Sequence, residues 1–131
     1  MTKKELLAEY LDASNNFRHF HTIRFVQLPI FTAVTFGLLS IVFSESKIIS
    51  EHIRLALKVG GIVITAIYWV LQQRAGKYRK YFADRAASLE AKLGFTQYTN
   101  RPQDEPFNSR NAIDAFFVFC LGFWILITIC L

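Results

Sequence analysis

The stretch Ile53–Leu71, IRLALKVGGIVITAIYWVL, decides the reading of this chain. It is 19 residues long, and its only charges, Arg54 and Lys58, fall in its first two turns. A helix needs ~17–25 residues to cross the hydrocarbon core of a bilayer, at 1.5 Å rise per residue. Long cationic side chains near a helix end can snorkel to the headgroups, so the two charges are compatible with a span. Within this helix Glu51, Arg54, Lys58, Gly61, Thr65, Tyr68 and Gln72 recur at alternating steps of three and four. That spacing places them on one face, with mostly Ile, Val and Leu between them. Polar groups facing lipid need partners, so this face is expected to point inward, toward protein or water.

Two readings of the seam Arg54, Lys58, Gly61, Thr65, Tyr68 and Gln72 follow. As a packing seam, Gly61 and Thr65 admit a close neighbour, and Thr65, Tyr68 and Gln72 hydrogen-bond across to it. As a water-lined path in an oligomer, several copies would place Arg54 and Lys58 around a mouth that favours anions. An oligomer could use the seam for both.

Two further apolar runs flank the first. Phe25–Phe43 has 19 residues and no charge; Ile113–Leu131 has 19 and one charge, Asp114, at its start. The first run carries small residues at Pro29, Ala33, Gly37, Ser40 and Ser44. Ala33, Gly37 and Ser40 form a helix-contact stripe, the natural partner for the seam. Pro29 invites a kink. The third run, dominated by Phe116, Phe117, Phe119, Phe123 and Trp124, reads as a wall facing lipid or a partner. Composition agrees with three spans. The chain has 131 residues, 53% apolar and only 19% charged, with 13 Phe. Soluble domains average ~45–50% apolar and ~25% charged. Because some 24 mixed-charge residues precede a full-length apolar run, the first span reads as a retained anchor rather than a cleaved signal.

Lys and Arg counts set an orientation. Four precede the first span and eight lie between the second and third, against three (Lys47, Arg54 and Lys58) on the other side. The N-terminus and the second loop are thus expected in the cytoplasm and the C-terminus outside, in an inner (plasma) membrane. The net charge of +5 is then chiefly a topology signal, with attraction to anionic inner-leaflet lipid. The basic run Arg74–Arg85 contains Tyr78, Tyr81 and Phe82, but lies where basic and aromatic residues are expected beside a membrane; nucleic-acid binding is not expected.

The expected architecture is an all-α membrane protein, one helical domain over 1–131. A cytoplasmic N-terminal amphipathic helix occupies 1–24, spans occupy 25–43, 53–71 and 113–131, and a cytoplasmic helix and loop occupy 72–111. Thr2 and Glu5 have capping-box spacing. Leu6, Leu7, Tyr10, Leu11, Ser14, Phe17 and Phe20 form a face that could lie on the membrane or pack on the second helix, and Asn15–Asn16 makes a break possible. The second helix should run on through Tyr78, Phe82, Ala86, Leu89 and Leu93 to a stop at Gly94, with Phe95 as the apolar contact after it. Thr96–Asn111, with Pro102 and Pro106, is the clear loop.

Chemistry-bearing patterns are sparse. His19 and His21 are two apart and do not share a helix face, and no Cys or carboxylate sits near them at ligand spacing. Cys120 and Cys130 lie about 15 Å apart along one helix, too far to bridge each other. Asp114 is read as a charge suited to a helix N-terminus, paired with a local cation such as Arg110, rather than as an ion site. No P-loop, dinucleotide fingerprint, nucleophile elbow or paired-carboxylate motif occurs, which argues against an enzyme and gives no reason to expect a cofactor.

Arg79–Gly94, RKYFADRAASLEAKLG, directly follows a two-span hairpin. In this architecture, over roughly residues 25–94, the chain resembles small bacterial membrane effectors of the SLATT type. The third span departs from their two-span pattern. The resemblance implies an oligomer that permeabilises the inner membrane in a stress or defence response. The sequence therefore leads to an oligomeric pore-forming or effector protein, or else to a structural or accessory subunit of a larger membrane complex.

Overall fold

The computed structural model describes residues 1–100 and 109–131; the part of the expected loop at 101–108 lies outside them. The chain is all-helical, with α1 at Lys3–Val42, α2 at Glu51–Leu93 and α3 at Ser109–Cys130. Each is long and apolar enough to cross a membrane.

The helix ends follow from local chemistry. The Thr2 backbone N–H donates to Glu5 Oε2 at 2.7 Å, and the Glu5 N–H donates to Thr2 Oγ1 at 3.2 Å, closing the expected capping box. No break occurs at Asn15–Asn16, because Asn16 Nδ2 turns back onto the carbonyl of Asp12 at 3.0 Å and the helix runs on. Pro29 also lies inside α1. At the other end of α2, Gly94 adopts φ +77°, the left-handed conformation a helix stop needs. The Glu90 carbonyl accepts the Gly94 N–H at 2.8 Å and the Phe95 N–H at 3.3 Å.

The chain divides into two compact units. The first joins residues 1–25 to residues 72–100. Here the N-terminal face packs on α2: Tyr10, Ala13, Ala83, Ala86, Leu89 and Tyr98 form the core, with Leu6, Phe17, Phe82 and Leu93 against it. Three alanines in that core let the helices approach closely, and tyrosines fill the gap with rings that carry a polar end. Phe20 stacks on Tyr78 and Phe82, with centroids 5.1 and 5.8 Å apart.

The second unit holds Val26–Leu71 and the described residues of α3. Val42, Trp124 and Ile127 form one core, with Leu38, Leu39, Leu57 and Ile62 against it. Phe31 and Phe117, both fully buried, meet at 5.0 Å. The third helix is therefore not simply an outward wall. Phe117, Trp124 and Ile127 point inward, while Phe119, Ile125, Leu126 and Ile129 remain exposed. This is one apolar helix using one face for protein and the rest for an apolar surround.

Candidate functional site

The polar seam of α2 is the inward face of that helix. Lys58 is 7% exposed, and Gly61 and Thr65 are buried. Arg54 and Tyr68 are half-buried, and Glu51, at the start of the helix, is exposed. Gln72 is buried as well, within the first unit.

Arg54, Gly61, Thr65, Tyr68 and Gln72 each have a distinct local role, whereas Lys58 makes no side-chain hydrogen bond or ion pair among the described residues. The Arg54 guanidinium donates through Nη1 to the Val42 carbonyl at 3.2 Å and through Nη2 to the Ser46 carbonyl at 3.1 Å. Val42 is the last residue of α1, whose terminal carbonyls have no partner within the helix and carry partial negative charge. Arg54 thus caps one helix from the first turn of the next and holds the connection between them. Gly61 receives the face of Trp124. A Cβ built on it would lie 2.7 Å from ring atom Cε3 and closer still to Cδ2 and Cε2, so only glycine fits beneath this indole. Thr65 returns its hydroxyl to the Gly61 carbonyl at 2.7 Å, so its polar atom is satisfied inside its own helix. Tyr68 leans on Phe31, centroids 5.4 Å apart. Gln72 Nε2 donates to the Arg24 carbonyl at 2.9 Å.

The helix-contact stripe does not meet this seam. Ala33, Gly37 and Ser40 are exposed, and a Cβ on Gly37 would find nothing within 4 Å. Large residues occupy the inward face of α1 instead: Phe31 and Val42 are buried, with Leu38 and Leu39 packed beside them. The glycine that admits a neighbour is on α2, and what fills it is an indole from α3. Spacing identified small residues on both helices but not which of them would face a large partner.

Asp114 accepts a hydrogen bond from the Trp69 indole N–H at 3.0 Å, across α2 and α3. His19 lies against Phe20, and His21 against Phe17 and Phe25. Both cysteines are free. Among the described residues no group of three His, Cys, Asp or Glu comes together as a metal site.

The centre of the first unit was not foreseen from the sequence. Glu90 is fully buried. Its Oε1 accepts the Tyr98 backbone N–H at 2.7 Å and the Tyr10 hydroxyl at 3.1 Å; its Oε2 accepts the Thr99 N–H at 2.9 Å and the Thr99 hydroxyl at 2.7 Å. Beside it Ser14 and Tyr98 share a hydroxyl–hydroxyl bond of 2.8 Å. Burial pushes the Glu90 carboxyl upward, but the bonds from Tyr98, Thr99 and Tyr10 outweigh it and hold the group below the usual carboxylate range. Burial, and then the bond to Glu90 and its negative charge, push the Tyr10 hydroxyl up. One signal was present. Glu90 adjoins the apolar face of Ala86, Leu89 and Leu93 in the last turn of α2, where the helix dipole disfavours an acid. A carboxylate there needs donors from elsewhere.

These features define a class: an all-helical chain with three helices fit to span a membrane, one inward polar face and a buried carboxylate in its polar unit. The chain matches no known protein family, and no curated protein or solved structure is detectably similar to it.

Proposed function

We propose that this is a non-catalytic, multi-pass membrane protein that works by assembly, as a structural or accessory component of a membrane complex or of its own homo-oligomer. The observation that supports this reading is how the α2 seam is occupied. Arg54 caps α1, Gly61 is covered by Trp124, and the Thr65 hydroxyl is bonded within α2. A face whose Arg54, Gly61 and Thr65 are taken up by the chain's own side chains and bonds serves packing, and leaves the protein's other helix faces for partners. In this proposal the protein sits in an inner membrane with its N-terminus in the cytoplasm, following the Lys and Arg counts.

The pore-forming or defence-effector reading keeps one specific support. Ala33, Gly37 and Ser40 are exposed on α1, with open space above Gly37, and a small-xxx-small surface suits close helix contact between copies. A permeation route would then run between chains rather than along α2. Two measurements separate the readings. Purification in mild detergent, with mass determined, reports self-association. Planar-bilayer conductance of wild type, Lys58→Leu and Thr65→Leu reports permeation. A silent wild type supports the assembly component; wild-type conductance overturns it, in favour of a path along the seam if Lys58→Leu or Thr65→Leu changes selectivity and of a path between chains if neither does.

A further inference from the structure

We infer that α2 carries a discrete site for an anionic phospholipid headgroup, formed by Arg74, Lys77, Tyr78 and Tyr81. The four residues bound a groove of about 390 Å³. They stand at positions i, i+3, i+4 and i+7 of one helix, so they share one face. All four are exposed. Among the described residues neither Arg74 nor Lys77 makes an ion pair or a side-chain hydrogen bond, in contrast to Arg85, which is engaged by Glu9. Tyr78 is steadied from beneath by its stack on Phe20, and Tyr81 by its edge contact with Phe82.

Depth identifies the occupant. The inference rests on α2 crossing the bilayer, with its apolar stretch ending at Leu71. At 1.5 Å per residue, Arg74 to Tyr81 then extend from roughly 5 to 15 Å beyond that end. The headgroup layer occupies about the first 5–8 Å outside the hydrocarbon, and long cationic side chains reach back into it. Two unpaired cations supply charge for a phosphate, and the two tyrosine rings complete the walls of the groove. A zwitterionic lipid brings its own cation beside the phosphate and repels the pair, whereas an anionic lipid presents a net negative charge to both.

The test compares full-length wild type with Arg74→Gln/Lys77→Gln, and with Lys3→Gln/Lys4→Gln as a control that removes the same charge elsewhere. Each is reconstituted in nanodiscs of mixed phosphatidylglycerol and phosphatidylcholine, checked for helicity by circular dichroism, and read by native mass spectrometry for the lipid it retains. Wild type and the control are expected to retain phosphatidylglycerol preferentially, and the Arg74/Lys77 variant to lose that preference by about thirtyfold, on the scale of two near-surface cations. Equal retention by all three proteins overturns the site. So does binding of a single-stranded RNA oligonucleotide that the Arg74/Lys77 variant loses while its lipid preference is unchanged, since that assigns the cluster to nucleic acid.

Discussion

At the centre of the unit formed by residues 1–25 and 72–100 lies a carboxylate; at the centre of the unit that contains α3 lies an indole pressed on a glycine. The first arrangement is held by direction. Glu90 accepts four hydrogen bonds, two from backbone N–H groups just beyond α2 and two from hydroxyls, one of them on α1. The second is held by shape. Trp124 is fully buried with Gly61 beneath it, and the nearby Thr65 hydroxyl is satisfied by its own helix. The contrast follows the surroundings. Where water competes, apolar burial drives packing and a buried charge must be fully bonded. Where the surround is itself apolar, burial gains little, and association depends on close contact between helices.

Trp124→Ala is expected to destabilise the protein by about 3–5 kcal/mol, the usual range for deleting a buried aromatic, measured by reversible unfolding in detergent. Gly61→Ala should cost about 1–3 kcal/mol, because its methyl overlaps the ring. The double variant Gly61→Ala/Trp124→Ala should lose less than the sum of the two, since the overlap vanishes with the ring. Full additivity would mean that the pair does not act through shape.

Glu90 is the corresponding test of the hydrogen-bonded unit. Glu90→Ala should cost about 2–3 kcal/mol, as it leaves the Tyr98 and Thr99 amides without their acceptor. The wild-type carboxyl is held below its ordinary value of 4.5, so its contribution is complete above that pH and is lost as pH falls through the folded-state value. Acid should therefore loosen this unit, seen as amide hydrogen exchange at Tyr98 and Thr99, and Glu90→Gln should flatten that response.

Arg54→Met should cost about 1–2 kcal/mol, through loss of two charge-assisted bonds to the Val42 and Ser46 carbonyls, with increased exchange confined to residues 43–50. The smallest effect is expected at Gly37. Its Cβ position is open, so Gly37→Ala should leave the fold intact or stabilise α1 by up to about 1 kcal/mol. Any change in oligomeric mass in the same variant would place a second chain against that stripe.

Several helix ends were legible because they depend on local signals, whereas the unbroken run of α1 past Asn15–Asn16 and the start of α3 at Ser109, inside the expected loop, were not. The Thr2–Glu5 pair, the left-handed Gly94 and the three apolar runs each specify a start, a stop or a length through chemistry close in the chain. The inward direction of the α2 seam was legible too, since Lys58, Thr65 and Gln72 could not face lipid unpartnered. The residues packed against that face were not. Spacing matched the seam to Ala33, Gly37 and Ser40, yet those residues face outward and Trp124 covers Gly61 instead. A small residue records that something can come close, not what does.

The sequence by itself determined three helices fit for a membrane, their caps and the polar face of α2, because periodicity and hydrophobicity are properties of each segment alone. Tertiary structure decided which faces meet. It turned Phe117 and Trp124 inward, left the α1 stripe bare, set Arg54 on the end of α1, and gathered Tyr10, Tyr98 and Thr99 around Glu90. Those contacts join residues up to 86 positions apart, and their energies depend on shape and hydrogen-bond direction, which no single segment carries.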